Sequence, residues 1–263
     1  MRGEFVRGIG YTRAGGDHAK VEDGCEDAVF VSKQNRRIGV ALCDGASTAH
    51  NSQAGARTTA ESVSKLLANC FDSIYSLNQE DISSLILEHA LSELDAVRNK
   101  KQCDLRSFAC TLLFVACKPL KNTIRFIAGN LGDGVVLMSI SGRVDVLFPA
   151  DNGKYANQTY FVTSKDARSK LRVYKSEVKC SQLPGWFLST DGASELLFDH
   201  QRGQSAPVVS ALLEDLRVFS ERKVQKTLCD LVDRIILPRS FDDCGVAILQ
   251  SVSRSSKIPR RRM

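Results

Sequence analysis

The sequence predicts an α+β domain in which β-sheets are covered by helices. Two long amphipathic helical segments follow an early pair of strands, and a series of strands with short connections follows those helices. Two further helical segments and a last strand complete the order. Strands and helices grouped in this way are typical of α+β proteins, and connections such as "LGDG" and "SG" favour antiparallel hairpins.

The first half of the chain predicts one hairpin and two helices. Apolar, β-branched residues mark strands at 27–32 and 37–43, joined by the polar turn "KQNR". Apolar residues spaced by three and four predict a helix over 53–75 and a second helix over about 79–99. Asn78 stands where the second helix needs an N-cap.

The second half is dominated by strand patterns, interrupted by one long polar segment and closed by two helices. The polar stretch at 150–170 predicts a loop or flap. The predicted strands are 107–118, 123–130, 134–140, 143–148, 171–178, 185–190 and 244–252, and the predicted helices are 206–218 and 221–236, the latter ended by Pro238.

Composition and cysteine usage predict an ordinary globular protein of the cytoplasm. The 263 residues are 43% hydrophobic and 25% charged, and no stretch approaches the ~20 apolar residues of a membrane helix. The N-terminus lacks the apolar run of a secretory signal. The nine cysteines contain no CxxC pair, which favours reduced thiols over a zinc site.

The net charge of +6 is concentrated at the C-terminus. Residues 251–263 hold five basic residues and no acid, so the remainder is close to neutral. This distribution argues against a nucleic-acid-binding protein. We therefore predict one domain over residues 1–252 and a solvated basic tail over 253–263.

Two similar segments each place an aspartate at the end of an apolar strand. "GVALCDGAST" delivers Asp44, and "GWFLSTDGASELL" delivers Asp191. Asp-Gly is a common turn dipeptide, so either segment alone is compatible with a plain turn. Further acids stand at the ends of other predicted strands: Glu26, Asp27, Asp133, Asp242 and Asp243.

Carboxylates gathered at one edge of a packed sheet would require cations. Two charges ~4 Å apart interact by ~4 kcal/mol at an effective dielectric near 20, so several unpaired acids would repel strongly. Oxygen ligands without histidine or cysteine favour hard ions such as Mg²⁺ or Mn²⁺.

In chain order, six segments resemble motifs of the metal-dependent protein serine/threonine phosphatases, the protein phosphatase 2C family. They are "CEDAVF", "VALCDGAST", "ACTLLFV", "GNLGDGVVLM", "FLSTDGASELL" and "FDDCGVAIL". The resemblance extends from about residue 8 to 250 and implies an antiparallel β-sandwich flanked by helices on both sides, in α-β-β-α layers. It also implies hydrolysis of phosphoserine and phosphothreonine in proteins, a signalling role and a kinase counterpart.

The resemblance implies a centre of two Mn²⁺ or Mg²⁺ ions. Asp44 would bridge both ions, and the Gly45 carbonyl and Glu26 would complete the ligands of one. Asp191 and Asp242 would hold the other, so that Asp44, Asp191 and Asp242 form the catalytic centre. The positions that the family can use for a weaker third ion match Asp133 and Glu195, together with Asp191.

The sequence departs from the family pattern where substrate phosphate is bound. Many relatives have an arginine before the acidic pair; here Lys20 or Arg13 would have to replace it. The usual Ser-Arg of the hairpin is Gly-Val at 134–135, and a general acid would be His50 or His18. These departures indicate a divergent, bacterial member.

Two other functions remain compatible with the sequence. A catalytically silent phosphatase-like scaffold would bind a phosphoprotein or regulator, which the altered phosphate-binding segment favours. A metal-assisted phosphohydrolase would act on a small molecule. The sequence leaves the oligomeric state open.

Overall fold

Two five-stranded antiparallel sheets form the centre of the structure, a computed structural model that describes residues 5–15, 24–151 and 159–252. The strands are β1 (Phe5–Arg13), β2 (Ala28–Gln34), β3 (Arg37–Cys43), β4 (Leu112–Pro119), β5 (Thr123–Leu131), β6 (Val135–Ile140), β7 (Arg143–Phe148), β8 (Arg172–Lys179), β9 (Gly185–Ser189), β10 (Phe198–Asp199), β11 (Gln204–Ser205) and β12 (Cys244–Val252).

Seven α-helices lie within the described ranges, outside the two sheets. They are α1 (Ser52–Asn69), α2 (Phe71–Ser76), α3 (Gln79–Lys101), α4 (Ala167–Lys170), α5 (Asp191–Leu197), α6 (Pro207–Val218) and α7 (Glu221–Leu231). Short 3₁₀ turns occur at Leu105–Phe108, Cys180–Gln182 and Leu237–Arg239, and a π-helix at Val232–Ile236 extends α7.

The strand order determines which acids meet. One sheet has the order β1-β12-β9-β6-β7 and the other the order β2-β3-β4-β5-β8, while β10 and β11 form a separate hairpin. All neighbouring strands are antiparallel. β9 and β12 are neighbours in the first sheet, so the segments after β9 and before β12 lie at the same edge.

Apolar side chains from both sheets form the central core. Leu42 of β3 and Leu249 of β12 are fully buried there. The rings of Phe126 and Trp186 come from opposite sheets, and their centroids lie 5.1 Å apart. Helices α1 and α3 cover the outer face of one sheet, and α6 and α7 cover that of the other. The predicted α-β-β-α arrangement is confirmed.

The first strand was not among the sequence predictions. β1 pairs along its whole length with β12, although "FVRGIGYTR" contains two glycines and two arginines, which weaken a strand pattern. An ideal Cβ at Gly10 would lie 2.5 Å from the Val29 Cγ2 atom of the facing sheet. Glycine is therefore required where the sheets approach closely. Because glycine is uncommon in strands, the sequence pattern did not predict this strand.

The helix predictions are confirmed in position and corrected in detail. The predicted helix over 53–75 is two helices, because the chain leaves helical geometry at Cys70 (φ −108°, ψ 19°). Asn78 caps α3 as predicted, since its side chain accepts a hydrogen bond from the Asp81 backbone N–H at 2.9 Å. The segment 221–236 begins as an α-helix and ends as the π-helix.

None of the described helices has the length and apolar character of a membrane span. The predicted basic tail at 253–263 lies outside the described residues. The limits of the domain, residues 1–252, stay a prediction.

Leu42→Ala should lower the free energy of unfolding by about 2–5 kcal/mol, because it opens a cavity between the sheets. Urea denaturation followed by circular dichroism measures this loss. Ile235→Ala is the control, since the Ile235 side chain is 48% exposed and its truncation should cost well under about 1 kcal/mol. Equal losses in both variants would contradict the proposed position of Leu42 in the core.

Candidate metal centre

Asp44 directly follows β3 and is fixed by the segment that precedes β4. Its backbone N–H donates to the Thr111 hydroxyl at 3.0 Å, and the Thr111 N–H donates to the Asp44 carbonyl at 2.8 Å. Gly45 forms an isolated antiparallel bridge with Cys110. These contacts prevent the Asp-Gly turn from moving away from the sheet edge.

Asp191 is the first residue of α5, two residues after β9 ends. Its Oδ1 atom accepts a hydrogen bond from the Gly192 N–H at 2.8 Å. An ideal Cβ at Gly192 would lie 2.2 Å from the Asp243 carbonyl oxygen, so the start of α5 lies directly against the segment before β12. This contact brings Asp191 close to Asp242.

Three carboxylates converge in one cavity. Oxygens of Asp44, Asp133 and Asp191 lie within 4.8 Å of one another. Asp133 comes from the β5–β6 connection, and the Thr159 hydroxyl donates a short hydrogen bond to its Oδ2 atom. Asp242, which is exposed, lines the same cavity of about 380 Å³. Gly45 lines it as well.

Burial and mutual repulsion raise the pKa values of these acids. Burial raises the pKa of Asp44 well above its ordinary value, and the charges of Asp27, Asp191, Asp133 and Asp242 raise it further. Burial followed by the charges of Asp133 and Asp242 raises the pKa of Asp191 to about 6. The Asp133 pKa is also raised, chiefly by burial.

Ion pairs with basic side chains of the described residues do not offset this repulsion. Within the three described ranges, no lysine or arginine forms an ion pair with Asp44, Asp133 or Asp191. The cluster is therefore an oxygen-rich, anionic cavity suited to a hard cation.

Asp27 is a buried acid whose charge acts on Asp44, and the sequence did not predict a ligand role for it. Its side chain is 4% exposed, and the Thr190 hydroxyl donates to its Oδ2 atom at 2.8 Å. Its Oδ1 atom is buried without a hydrogen-bond partner among the described residues. Burial raises the Asp27 pKa well above its ordinary value, with added contributions from the charges of Asp243 and Asp191.

Glu26 and Glu195 are not brought to the three converging aspartates. The Glu26 carboxylate accepts a hydrogen bond from the Ser52 hydroxyl at 2.5 Å at the start of α1. Glu195 is exposed on α5 and lines a different depression, together with Asp199 and His200. The ligand roles that the resemblance implies for both glutamates stay predictions.

Of the candidates for phosphate binding and proton donation, the two within the described residues, Arg13 and His50, do not line the cavity. The Arg13 guanidinium lies 3.7 Å from Asp233, which belongs to the helical layer. His50 is exposed and does not line the cavity, whereas the neighbouring Ser47 and Thr48 do. His18 and Lys20 lie outside the described residues.

Comparison with known proteins identifies the family. Residues 14–233 match the family model described as Protein phosphatase 2C, which is more than half of the chain. The chain belongs to the protein phosphatase 2C family. It is thus an enzyme of the protein serine/threonine phosphatase class. The family match ends before Asp242, so the position of that residue in the cavity comes from the structure alone.

Individual relatives are distant. "Serine/threonine-protein phosphatase 3" of Escherichia coli (strain K12) is 25% identical over 188 residues, which are 69% of this chain and 71% of that protein. A solved bacterial serine phosphatase superimposes with a TM-score of 0.59 at 13% identity, covering 93% of this chain and 97% of its own. The phosphatase Stp1 from Staphylococcus aureus gives 0.59 at 12% identity, with 95% and 96% covered. These superpositions show that this protein phosphatase 2C family member shares the fold of the two solved phosphatases.

Asp191→Asn should stabilise the metal-free protein at neutral pH. The Asp191 pKa is about 6 in the folded protein against an ordinary 3.8, so the folded state keeps a proton that the unfolded chain has released. The free energy of unfolding therefore falls as pH rises through this window, by up to about 3 kcal/mol. In EDTA, the variant should be more stable than wild type at about pH 7.5 and equal to it near pH 4.

Urea denaturation at several pH values measures this difference. Asp145→Asn is a matched control, because Asp145 is exposed on β7 and pairs only locally with Arg143 among the described residues. A stability difference for Asp191→Asn that does not change with pH would contradict the assigned repulsion.

Proposed function

We propose that this phosphatase hydrolyses phosphoserine and phosphothreonine in proteins with two Mn²⁺ or Mg²⁺ ions. Family membership supports metal-dependent phosphatase activity. The observation that carries the proposal is the approach of the Asp44, Asp133 and Asp191 carboxylates to within 4.8 Å. Such an arrangement is costly without divalent cations.

The donor atoms of the cavity fit divalent cations. The buried Asp27 Oδ1 and Asp133 Oδ1 atoms have no hydrogen-bond partner among the described residues. Buried polar atoms are normally paired, and unpaired ones cost free energy, so a cation in the cavity would satisfy the Asp133 oxygen. All of the candidate ligands are oxygens, the donor type that Mg²⁺ and Mn²⁺ prefer.

We assign the metal-holding role to residues that line the cavity. Asp44, the Gly45 carbonyl, Asp133, Asp191 and Asp242 would hold the ions, with a third ion left as a prediction. The Asp27 carboxylate would assist from beneath the cavity. When bound, divalent ions supply the Lewis acidity that activates a water for in-line attack on phosphorus.

The remaining residues orient these acids and receive the substrate. The Thr159 and Thr190 hydroxyls donate to one oxygen of Asp133 and of Asp27, and the other oxygen of each carboxylate has no hydrogen-bond partner among the described residues. Ser47 and Thr48 line the cavity, and their hydroxyls are suited to donate hydrogen bonds to phosphate oxygens. The proton donor to the leaving alkoxide stays unassigned, and His50 or His18 stays a prediction.

Observations do not favour the two alternative functions. A silent scaffold would have no physical need for buried, mutually repelling carboxylates. A small-molecule phosphohydrolase differs from a protein phosphatase in the substrates that it hydrolyses, so assays with both substrate classes distinguish the two. The cytoplasmic location, the signalling role and the kinase counterpart stay predictions.

With Mn²⁺ or Mg²⁺, the purified protein should dephosphorylate phosphoserine and phosphothreonine peptides and p-nitrophenyl phosphate, and EDTA should abolish all three activities. Asp44→Asn should lower kcat/KM by at least about a hundredfold, the rate equivalent of losing roughly 3 kcal/mol of transition-state stabilisation. Asp145→Asn is the control and should retain wild-type rates. Hydrolysis restricted to nucleotides or sugar phosphates would instead support the small-molecule alternative.

Asp27→Asn and Glu26→Gln separate the roles of two adjacent acids. The charge of the buried Asp27 carboxylate raises the pKa of Asp44, while the Glu26 carboxylate is paired with Ser52. We expect Asp27→Asn to weaken Mn²⁺ binding by about tenfold or more and Glu26→Gln to weaken it less. Isothermal titration calorimetry measures both affinities. The reverse order would restore the ligand role that the resemblance implies for Glu26.

A further inference from the structure

Phe241 is the most exposed large apolar side chain in the described part of the protein. Its side chain is 88% exposed, whereas the next, Ile235, is 48% exposed. Covering an exposed phenyl ring with an apolar partner removes apolar surface from water and lowers the free energy. The described part of the fold leaves this ring largely uncovered.

Phe241 is the chain neighbour of a residue that lines the metal centre. It directly precedes Asp242, which lines the cavity, and consecutive Cα atoms are about 3.8 Å apart. The turn is held by its neighbours: the Asp242 N–H donates to the Ser240 hydroxyl at 3.2 Å, and the Ser240 N–H donates to the Ile236 carbonyl at 3.0 Å. The Phe241 backbone is therefore held next to Asp242 by an ordered turn.

Two other exposed apolar side chains lie on the segment that begins at Asp191 and on the segment that leads to Asp242. Leu196 is 40% exposed on α5, the helix that begins at Asp191, and Ile235 belongs to the π-helix that packs against α5. Tyr174, 41% exposed, lies on β8 in the other sheet. Three of the four most exposed large apolar side chains of the described residues thus lie on the α5 and pre-β12 segments.

We infer that Phe241 contacts an apolar side chain next to the phosphorylated residue of the substrate protein. The inference rests on the proposed function. When the phosphate of a phosphoserine enters the cavity, the substrate chain on either side of that phosphoserine must pass over the edge of the cavity. An extended peptide advances about 3.3 Å per residue, so the ring can reach side chains about one to three positions away. An apolar flanking side chain would bury the ring and lower KM.

A basic groove offers a competing basis for substrate choice. It has a volume of about 690 Å³, and Lys165, Arg168 and Arg172 line it. Glu80 and Asp166 line it as well, so its charge is nearly balanced. Charge complementarity to an acidic substrate is therefore weaker support than the exposed phenyl ring next to Asp242.

Three phosphoserine peptides test the inference. They differ only within two positions of the phosphoserine, where they carry leucine, serine or aspartate. With Mn²⁺, the wild-type protein should show a kcat/KM about tenfold higher for the leucine peptide than for the serine peptide, mainly through KM. In Phe241→Ser this ratio should fall to about 1–2, because the apolar partner of the leucine is removed.

Tyr174→Ser is the matched control, since it removes an exposed aromatic ring from the other sheet and should keep the preference. Urea denaturation checks that Phe241→Ser is folded, as expected for a side chain that is 88% exposed. Equal wild-type rates on the leucine and serine peptides, a preference for aspartate, or a preference retained in Phe241→Ser would overturn the inference. Absence of turnover on every peptide and on p-nitrophenyl phosphate would overturn the proposed function as well, which is a different result.

Discussion

The repulsion between buried carboxylates is the constraint on which the centre depends. Asp44, Asp133 and Asp191 come from three separate connections, and their oxygens lie within 4.8 Å without a lysine or arginine paired to them in the described ranges. Such a group would spread apart unless rigid neighbours held it. Asp133 and the neighbouring acids Asp27 and Asp243 are fixed by donors from other segments. The donors are the Thr159 hydroxyl for Asp133, the Thr190 hydroxyl for Asp27, and the backbone N–H groups of Gly15 and Glu26 for Asp243.

The sandwich supplies that rigidity, and most of it is predictable from sequence. The long apolar strands and the clear helical periodicity predict the layers of the fold, and Asn78 predicts the start of α3. Several elements escape a pattern of this kind, among them β1, helix α5 and the break between α1 and α2. β1 is built around Gly10, whose small size serves the contact with the facing sheet. The break between α1 and α2 at Cys70 leaves the apolar spacing unchanged, so the period alone predicts one helix.

The acids of the centre illustrate what a strand pattern can and cannot decide. Asp44 and Asp191 are indicated by an apolar strand followed by Asp-Gly-Ala-Ser, a sequence that occurs at both positions. For adjacent acids at a strand start, alternation says only that the two side chains point to opposite sides. The structure directs Asp27 inward and pairs the Glu26 carboxylate with Ser52. That choice depends on how α1 packs, which is a tertiary contact.

At the sheet edge that carries the metal centre, the acids and the exposed Phe241 side chain are under different structural constraints. The acids must keep fixed distances. The close packing of the backbone at Gly192 and the hydrogen-bonded turn at Ser240 both limit backbone movement around them. A side chain such as Phe241 that points into solvent adds little to folding, and its identity is free to follow the substrate. Because the exposed ring stands on the same ordered turn that delivers Asp242, recognition of the flanking residue and binding of the phosphate would share one rigid support. A substrate that covers the ring would thereby be held in register with the centre.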